Sequence, residues 1–510
     1  MGESVVPIDL SEISCVPTPA TTSFLSLLGT GAHAEAVRVL DENWVEIWYA
    51  IDPMDLKGVL LALPADAYAH FDNAAYLNAL VGTELAGHAE RIPAADDREA
   101  RLNQVAREIA DLRLSGRPAE AMALVHTVAE DVRGLRGRLV DTSGGRTGIW
   151  LVQTGITALL AGDLTTARVC FDEAARSHRP VRFPFVQREA VAKLALVHAV
   201  AGDPNEAATW LTRAEQLTRT DSWVEKLVDD SLWLSRYICA VDALELDLAE
   251  RLRRAQPSPL AHLEFWGIAL QAQVRHLCLT ARAARARELC DEMAASGLPL
   301  PGSDGWLGSM LDDARLMCTP PRALPEDGRP SAADALLARR RHLLATGQYR
   351  QLTTRDGEEA LPRSMDARTR LGLDLLRGQG MLHAGRRDHG RQVVLDALAD
   401  AMDRGALSVL GHLAAATLDL IDDTEPGARA RRLVAEHRLQ LIEVTVLSSP
   451  LTPAETRVLG LLREGRSRQE IAEASYVSLE TVKSQLTSAY RKLGVTKRAD
   501  AIARLDQMGW

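Results

Sequence analysis

A short phrase recurs along this chain and constrains its fold more than any other feature. Ala161-Gly162-Asp163 precedes an alanine-rich amphipathic stretch, and Ala201-Gly202-Asp203 precedes a second one forty residues later. Similar phrases begin near Gly31, Gly116, Ala281, Gly347 and Gly385. A glycine can end one helix in the left-handed conformation, and small alanines let the next helix approach its neighbour closely. The phrases therefore predict a series of helix pairs.

The spacing of apolar residues predicts an all-α fold. Apolar residues recur at three- and four-residue intervals, and aromatic residues make up only 4% of the chain. A helix pair cannot bury its apolar face alone, so consecutive pairs are expected to stack into an α-solenoid. The phrases resemble degenerate tetratricopeptide repeats, whose period of about 34 residues is shorter than the one here. An irregular helical bundle is the alternative.

The chain of 510 residues is too long for a single core and is expected to divide. Two Pro-containing segments, one of them also rich in charge, interrupt the helical pattern and suggest where the chain divides. The predicted parts are a helical-repeat body over 1–318, a Pro-rich connection over 319–333, a second helical block over 334–443, a linker over 444–450, and a C-terminal domain over 451–510.

Charge separates the C-terminal domain from the rest. The whole chain has a formal charge of −10, which taken alone argues against binding to nucleic acid. Residues 451–510 nevertheless contain ten Lys and Arg against seven Asp and Glu, a net charge of +3, which leaves −13 on the remainder. A mildly basic domain on an acidic body would approach phosphates with one end only.

Capping signals divide the C-terminal domain into four helices. Thr452 to Glu455 is a capping box with proline at the first helical position, and Ser467 to Glu470 is a second capping box. Gly465 ends the first helix. Ser478 caps a third helix over 479–493 that stops at Gly494, and a fourth runs from about 497 to 507.

The third helix has two chemically different faces. Its inward face is predicted to consist of Val482, Leu486, Tyr490 and Leu493. Its outward face is predicted to consist of Lys483, Ser484, Thr487, Ser488 and Arg491. No acidic residue occurs between Glu480 and Asp500. Cations and small hydroxyls can enter a major groove about 12 Å wide and reach bases or phosphates, so this helix is predicted to bind duplex DNA.

The motifs of the C-terminal domain resemble the DNA-binding domain of the LuxR family, also called the GerE type. The matching positions are Leu451, Thr452, Glu455, Val458, Leu459, Gly465, Glu470, Ile471, Ala472, Ser478, Thr481, Val482, Lys483, Lys492, Leu493, Gly494, Val495 and Arg498. So many matches in register make the resemblance highly specific. It implies a helix-turn-helix whose third helix reads the major groove.

The resemblance also implies roles for individual residues. Lys483, Ser484 and Thr487 would face the bases, while Thr481, Lys492 and Arg468 would contact phosphate. Arg491 completes the predicted DNA-binding set. Pairing of two copies on DNA would use the fourth helix through Arg498, Ile502 and Leu505. Three positions depart from the family pattern, namely Ala454, Ser475 and Gln485. The departures put the intrinsic affinity and the exact operator in doubt, and Ser475 replaces a core leucine.

The body resembles the C-terminal part of the large ATP-dependent LuxR regulators, whose nucleotide-binding module would precede the helical repeats. This chain contains no Gly-x-x-x-x-Gly-Lys-Ser/Thr sequence, and its glycine-rich segment over 142–148 lacks the lysine that would reach phosphates. It also lacks the alternating strands and helices of a phospho-accepting receiver domain. Neither nucleotide-dependent nor phosphorelay control is therefore expected.

Signs of catalysis, metal binding or a membrane span are missing from the sequence. The six cysteines are scattered without a Cys-x-x-Cys pair, and the thirteen histidines occur singly. The chain is therefore predicted not to be an enzyme and to use no cofactor or metal. Without a long apolar run or a secretory signal, it is expected to be cytoplasmic and associated with the nucleoid.

These observations together predict a sequence-specific transcription regulator. Its partners would be double-stranded DNA, a second copy of the chain on DNA, and a protein or small-molecule effector sensed by the helical body. The tryptophans, such as Trp48 and Trp223, would either line a groove for that effector or fill the core. The alternatives are an interaction scaffold whose helix-turn-helix no longer binds DNA, and a solenoid enzyme without a recognisable site.

Overall fold

The structure of the chain is a computed structural model. It describes residues 13–61, 63, 67, 71, 98–128, 146–176, 185–296, 332–354, 366–444 and 451–507. Within these residues the regular secondary structure is helical, with two isolated β-bridges that join Cys15 to Ile51 and Ala414 to Ile442. The all-α prediction is confirmed.

The described part of the body contains twenty α-helices. The first eight are α1 (Pro19–Gly29), α2 (His33–Glu42), α3 (Trp44–Ala50), α4 (Pro53–Leu61), α5 (Arg98–Leu114), α6 (Pro118–Thr127), α7 (Arg146–Leu160) and α8 (Leu164–Ala175). The next six are α9 (Phe185–Ala201), α10 (Pro204–Gln216), α11 (Val224–Asp242), α12 (Leu246–Arg254), α13 (Trp266–Leu279) and α14 (Ala283–Ala295). The last six are α15 (Ala332–Ala345), α16 (Tyr349–Leu352), α17 (Ala367–His383), α18 (Arg387–Arg404), α19 (Ala415–Leu418) and α20 (Glu425–Glu436).

One type of turn joins the two helices of each predicted pair. All seven predicted turn residues have positive φ, and these are Gly31, Gly116, Gly162, Gly202, Ala281, Gly347 and Gly385. In several of these turns the next amide donates a hydrogen bond five residues back, as Asp163 does to Ala158 and Gln348 does to Leu343. This bond satisfies a carbonyl that the helix end would otherwise leave without a donor. The turn prediction is confirmed.

A further turn of this type, between α11 and α12, was not predicted, because its left-handed residue is a leucine. Leu244 has φ +59° between α11 and α12. Its amide donates to the carbonyl oxygen of Val241, and the amide of Glu245 donates five residues back to that of Ala240. A leucine in this conformation is strained, unlike a glycine. Complete burial of its side chain in a core cluster offsets that cost.

The chain divides into two compact units. The first is drawn from Met1–His198, Glu206–Arg236 and Gln256–Phe265, and one of its cores contains Phe24, Leu40 and Ile47. The second is drawn from Ala199–Asn205, Tyr237–Ala255 and Trp266–Trp510. The second unit includes the C-terminal helices, which have a core of their own.

The predicted domain boundaries stay predictions. Most of the Pro-rich connection over 319–333 and most of the linker over 444–450 lie outside the described residues, although helix α15 already begins at Ala332. The stacking of the helix pairs into a solenoid is likewise a prediction. In the described part of the chain, no helix combines the length and the apolar character needed to cross a membrane.

Candidate nucleic-acid interface

Four helices form the C-terminal domain, with boundaries close to those predicted. They are α21 (Pro453–Arg463), α22 (Arg468–Ser475), α23 (Leu479–Leu493) and α24 (Arg498–Gln507). Both predicted capping boxes are present. The hydroxyls of Thr452 and Ser467 accept from the amides of Glu455 and Glu470, whose carboxylates in turn accept from the amides of Thr452 and Ser467. Ser478 caps α23, and Gly494 ends it in the left-handed conformation.

The core of the domain fixes how α23 is rotated about its own axis. Val482, Leu486 and Leu493 are buried, as predicted, together with Ala489, while Tyr490 is only partly buried. They pack on a cluster that includes Leu459 of α21 and Ile471 of α22. The opposite side of α23 is thereby turned to solvent.

The solvent face of α23 carries most of the predicted DNA-binding residues. Lys483, Ser484, Thr487 and Arg491 are exposed there, and Arg468 is exposed at the first position of α22. Thr481 is half-buried, and its hydroxyl lies 2.8 Å from that of the capping residue Ser478. The structure therefore brings a row of cations and hydroxyls onto one helix face, which is the arrangement that groove binding requires.

Lys483 forms an ion pair at the surface. Its Nζ donates to Oε2 of Glu480 at 3.1 Å, and 45% of the lysine side chain and 83% of the glutamate side chain remain exposed. An exposed pair of this kind contributes little to stability, so Lys483 can exchange Glu480 for a base or a phosphate at small cost.

Thr487 presents its oxygen as an acceptor. Its hydroxyl donates to the carbonyl oxygen of Lys483 at 2.9 Å, one turn earlier in α23. Because that bond uses the hydroxyl proton, the free lone pair of Oγ1 suits a donor on a base edge, such as the amino group of adenine or cytosine.

Lys492 occupies a different environment from the one that the family resemblance implies. Its Nζ donates to Oε2 of Glu455 at 2.7 Å, and only 12% of the lysine side chain and 5% of the glutamate side chain are exposed. Little of Lys492 is thus available to a phosphate, and the pair joins α23 to the first turn of α21. The side chain of Ser488, expected on the outward face, also hydrogen-bonds to Glu455. Its predicted outward orientation was wrong, because α21 lies within reach.

The Glu455 carboxyl is strongly stabilised in its charged form. Burial alone would raise its pKa, but hydrogen bonds from Lys492, from the Thr452 backbone and side chain, and from Ser488 outweigh that effect and lower the pKa to about 2. The capping box of α21 and the ion pair to α23 therefore share one carboxylate.

The residues predicted to pair two copies have mainly internal contacts. Leu505 is 1% exposed within the domain core, which leaves it no surface for a second copy. Arg498 donates to the carbonyl oxygens of Leu462 and Arg466 at 3.1 and 3.0 Å, and so satisfies the end of α21. Ile502 is partly exposed and is the member of the set with apolar surface available.

Ser475 places an unsatisfied hydroxyl where the family pattern has a core leucine. Its Oγ is buried, and no hydrogen-bond partner for it exists among the described residues. A buried hydroxyl without a partner destabilises the folded state, so this departure weakens the end of α22.

We expect Ser475→Ala to stabilise the C-terminal domain by about 1 kcal/mol, because it removes the unsatisfied hydroxyl. Pulse proteolysis of the full chain across a urea series would measure this through cleavage within the domain. Ser484→Ala is the matched control, since it makes the same change at an exposed position of α23. If the two variants stabilised the domain equally, the higher helix propensity of alanine alone would explain the effect.

Sequence reasoning missed an exposed apolar surface at the N-terminal end of α23. Tyr476 ends α22 with φ +54° and is 96% exposed, and Val477 and Leu479 are 36% and 37% exposed. No motif in the sequence marks these residues, and the exposure of their side chains distinguishes them. We call these three residues the apolar ledge.

The first unit of the body contains a cavity of about 480 Å³. Its apolar wall includes Tyr49, Phe185 and Leu217, and its polar wall includes Arg188 and Thr218. The rings of Tyr49 and Phe185 lie 4.9 Å apart. A cavity of this size with mixed walls is typical of sites for small organic molecules.

The walls of the cavity are held by hydrogen bonds. Ser222 donates to the carbonyl oxygen of Tyr49 at 2.9 Å, and Nε1 of Trp223 donates to that of Trp48 at 2.8 Å. Nε of Arg188 donates to Glu225 at 2.8 Å, and its Nη1 donates to two carbonyl oxygens. These bonds use Nε and Nη1, so Nη2 is the part of the guanidinium that a ligand could engage.

A comparison with family models identifies the C-terminal domain. Residues 449–505 match the model described as "Bacterial regulatory proteins, luxR family", the GerE domain. The match covers α21, α22, α23, both capping boxes and most of α24. This part of the chain is a LuxR-family helix-turn-helix domain, and it supports the assignment of the protein as a DNA-binding transcription regulator.

Proposed function

We propose that this protein is a sequence-specific regulator whose helix α23 enters the major groove of duplex DNA. The observation that carries the proposal is the exposed row of Lys483, Ser484, Thr487 and Arg491 on a helix whose opposite face is fixed in a core. Lys483 and Ser484 would contact base edges, and Thr487 would accept from a base amino group. Arg468 and Arg491 would contact phosphates and set the register.

Lys492 would not contact DNA in this arrangement and would instead have a positioning role. Its ion pair with Glu455 would hold α23 against α21, so that the groove-facing row keeps its orientation. We also propose that two copies bind together on adjacent half-sites about one helical turn of DNA apart. Ile502, rather than Leu505, would contribute to the contact between them.

The function is tested by replacing Lys483. We expect Lys483→Ala to weaken binding to a selected operator between about fivefold and a hundredfold, because one good contact to a base edge is lost. Fluorescence anisotropy titration of the full chain, at a stated salt concentration, would measure the affinity.

Arg457→Ala is the matched control, since it removes one exposed cation from α21 of the same domain. It should change the affinity for selected and scrambled duplexes alike. Unchanged operator binding by Lys483→Ala would contradict the assignment of α23. No binding to any duplex even at low salt would favour a scaffold that has lost DNA binding.

We further propose that the body receives a small-molecule signal in the cavity of the first unit. The size of the cavity, its aromatic wall and the available Nη2 of Arg188 support this. The charges along its walls include Glu46 and Asp221 as well as Arg188 and Arg219, so an uncharged molecule with a carbonyl or another acceptor suits it best.

The cavity is tested with a bulky residue at its rim. Thr218 is exposed and lines the cavity, so Thr218→Trp should fill the entrance without disturbing the core. Gln216→Trp, at an exposed position that does not line the cavity, is the control. Mass spectrometry of cellular small molecules retained by the immobilised protein should show enrichment on the wild type and the control only. Equal retention by all three proteins would contradict the site.

A further inference from the structure

The apolar ledge is an unusual concentration of exposed apolar side chains. In the part of the chain that the structure describes, seven large hydrophobic residues are exposed, and three of them are Tyr476, Val477 and Leu479. The three flank Ser478, the residue that caps α23. The ledge thus adjoins the end of the helix that carries the DNA-binding row.

Leu479 belongs to the groove-facing row by its position in α23. It is the first residue of the helix, and Lys483 and Thr487 follow at intervals of four. Residues four apart lie one above the other on the same helix face. In a helix-turn-helix motif, the N-terminal residues of the recognition helix, which is α23 here, are those that contact base edges. Leu479 therefore lies where contact with the bases is expected.

The chemistry of leucine restricts what it can recognise there. Its side chain has no donor or acceptor, so it cannot pair with the polar groups of a base edge. The apolar group that unmodified DNA offers in the major groove is the C5 methyl of thymine. Contact between this methyl and an exposed leucine removes apolar surface of both from water.

We propose that Leu479 reads a thymine methyl group in each half-site and thereby helps to determine sequence specificity. The proposal rests on the DNA-binding function proposed above. Burial of one methyl group corresponds to about a fourfold gain in affinity per contact. A protein partner at the ledge is the other possible use of this surface, and the experiment below distinguishes the two.

The test removes the methyl group from the DNA and the side chain from the protein. A site is first selected from random duplexes with the full-length protein, and each thymine is then replaced in turn by deoxyuridine, which keeps base pairing and lacks only the methyl. We expect one thymine in each half-site whose replacement weakens wild-type binding about fourfold. Leu479→Ala should bind the intact site about fourfold more weakly and should be insensitive to that same replacement.

Two variants serve as controls. Val477→Ala truncates the neighbouring ledge residue of nearly equal exposure, which is not on the row, and should keep the response to deoxyuridine. Lys483→Ala should bind weakly but should also keep that response.

Failure to select any duplex would contradict the DNA-binding function itself. Normal selection without a methyl-sensitive thymine, or a Leu479→Ala variant that remains sensitive, would overturn the role of Leu479 alone. A change in transcription without a change in DNA binding would assign the ledge to a protein partner. The wild-type deoxyuridine series can overturn the role of Leu479 even if Leu479→Ala fails to fold.

Discussion

Lys492→Met is expected to destabilise the C-terminal domain by about 3 kcal/mol. The substitution keeps the length of the side chain but leaves the Glu455 carboxylate without its cation, in a place where only 5% of that side chain is exposed. Removing one partner of a buried ion pair is costly because the remaining charge stays desolvated. Hydrogen exchange of the full chain, followed by mass spectrometry of peptides from 453–507, would show a loss of protection confined to this domain.

Lys497→Met is the matched control, because Lys497 is an exposed lysine of the same domain. It should leave hydrogen exchange unchanged. If Lys492 instead contacts phosphate, as the family resemblance implies, Lys492→Met would keep wild-type protection and would lower the salt dependence of DNA binding by about one ion.

The same ion pair makes the stability of the domain depend on pH. The pKa of Glu455 falls from an ordinary value near 4.5 to about 2 on folding. The stabilisation is therefore complete above about pH 4.5 and is lost as the pH falls towards 2. The stability difference between the wild type and Glu455→Gln should shrink over that interval, as read from urea unfolding at successive pH values.

Arg368→Met is expected to destabilise the second unit by at least 3 kcal/mol. Nη1 of Arg368 donates to Asp242 at 2.6 Å and to the carbonyl oxygen of Ala199 at 2.7 Å, and its Nη2 donates to that of Val200. Asp242 is 0% exposed and also accepts from Ser408 at 2.7 Å. The guanidinium therefore both neutralises a buried carboxylate and satisfies the end of helix α9.

The test is urea unfolding followed by circular dichroism and by hydrogen exchange in α17. Arg370→Met, at an exposed position two residues along the same helix, should have little effect. Adding Asp242→Asn to Arg368→Met should restore part of the loss, because no uncompensated charge then remains. If Arg368→Met alone were as stable as the wild type, the hydrogen bonds of Arg368 to Asp242 and to the end of α9 would contribute nothing to stability.

The sequence predicted the elements whose signals are local. Turns such as those at Gly162 and Gly202 require only a left-handed residue between two amphipathic stretches. Each of the two capping boxes spans only four residues. Leu244 was missed because its strain is offset by burial, which depends on residues distant in sequence. Local chemistry therefore identified the helices, and tertiary packing decided the exceptions.

The candidate site shows the same division. The spacing within α23 correctly oriented Lys483 and Thr487, because a helix facing a core can expose only its other side. Lys492 and Ser488 lie at the border of the two faces, where the outcome depends on whether another helix supplies a partner. Glu455 of α21 is that partner, 37 residues away from Lys492 in the sequence. Leu505 was assigned to the contact between two copies by resemblance, and its burial reflects packing within a single domain.

The entry of α23 into the major groove is tested most directly by methylation interference on a selected operator. Methylation of guanine N7 alters the major-groove edge and leaves the minor groove intact. We expect methylation at guanines within each half-site to prevent binding of the wild-type protein, and Lys483→Ala to become insensitive at one of them. Binding that tolerates methylation of every guanine in a guanine-containing site would contradict the entry of α23 into the major groove.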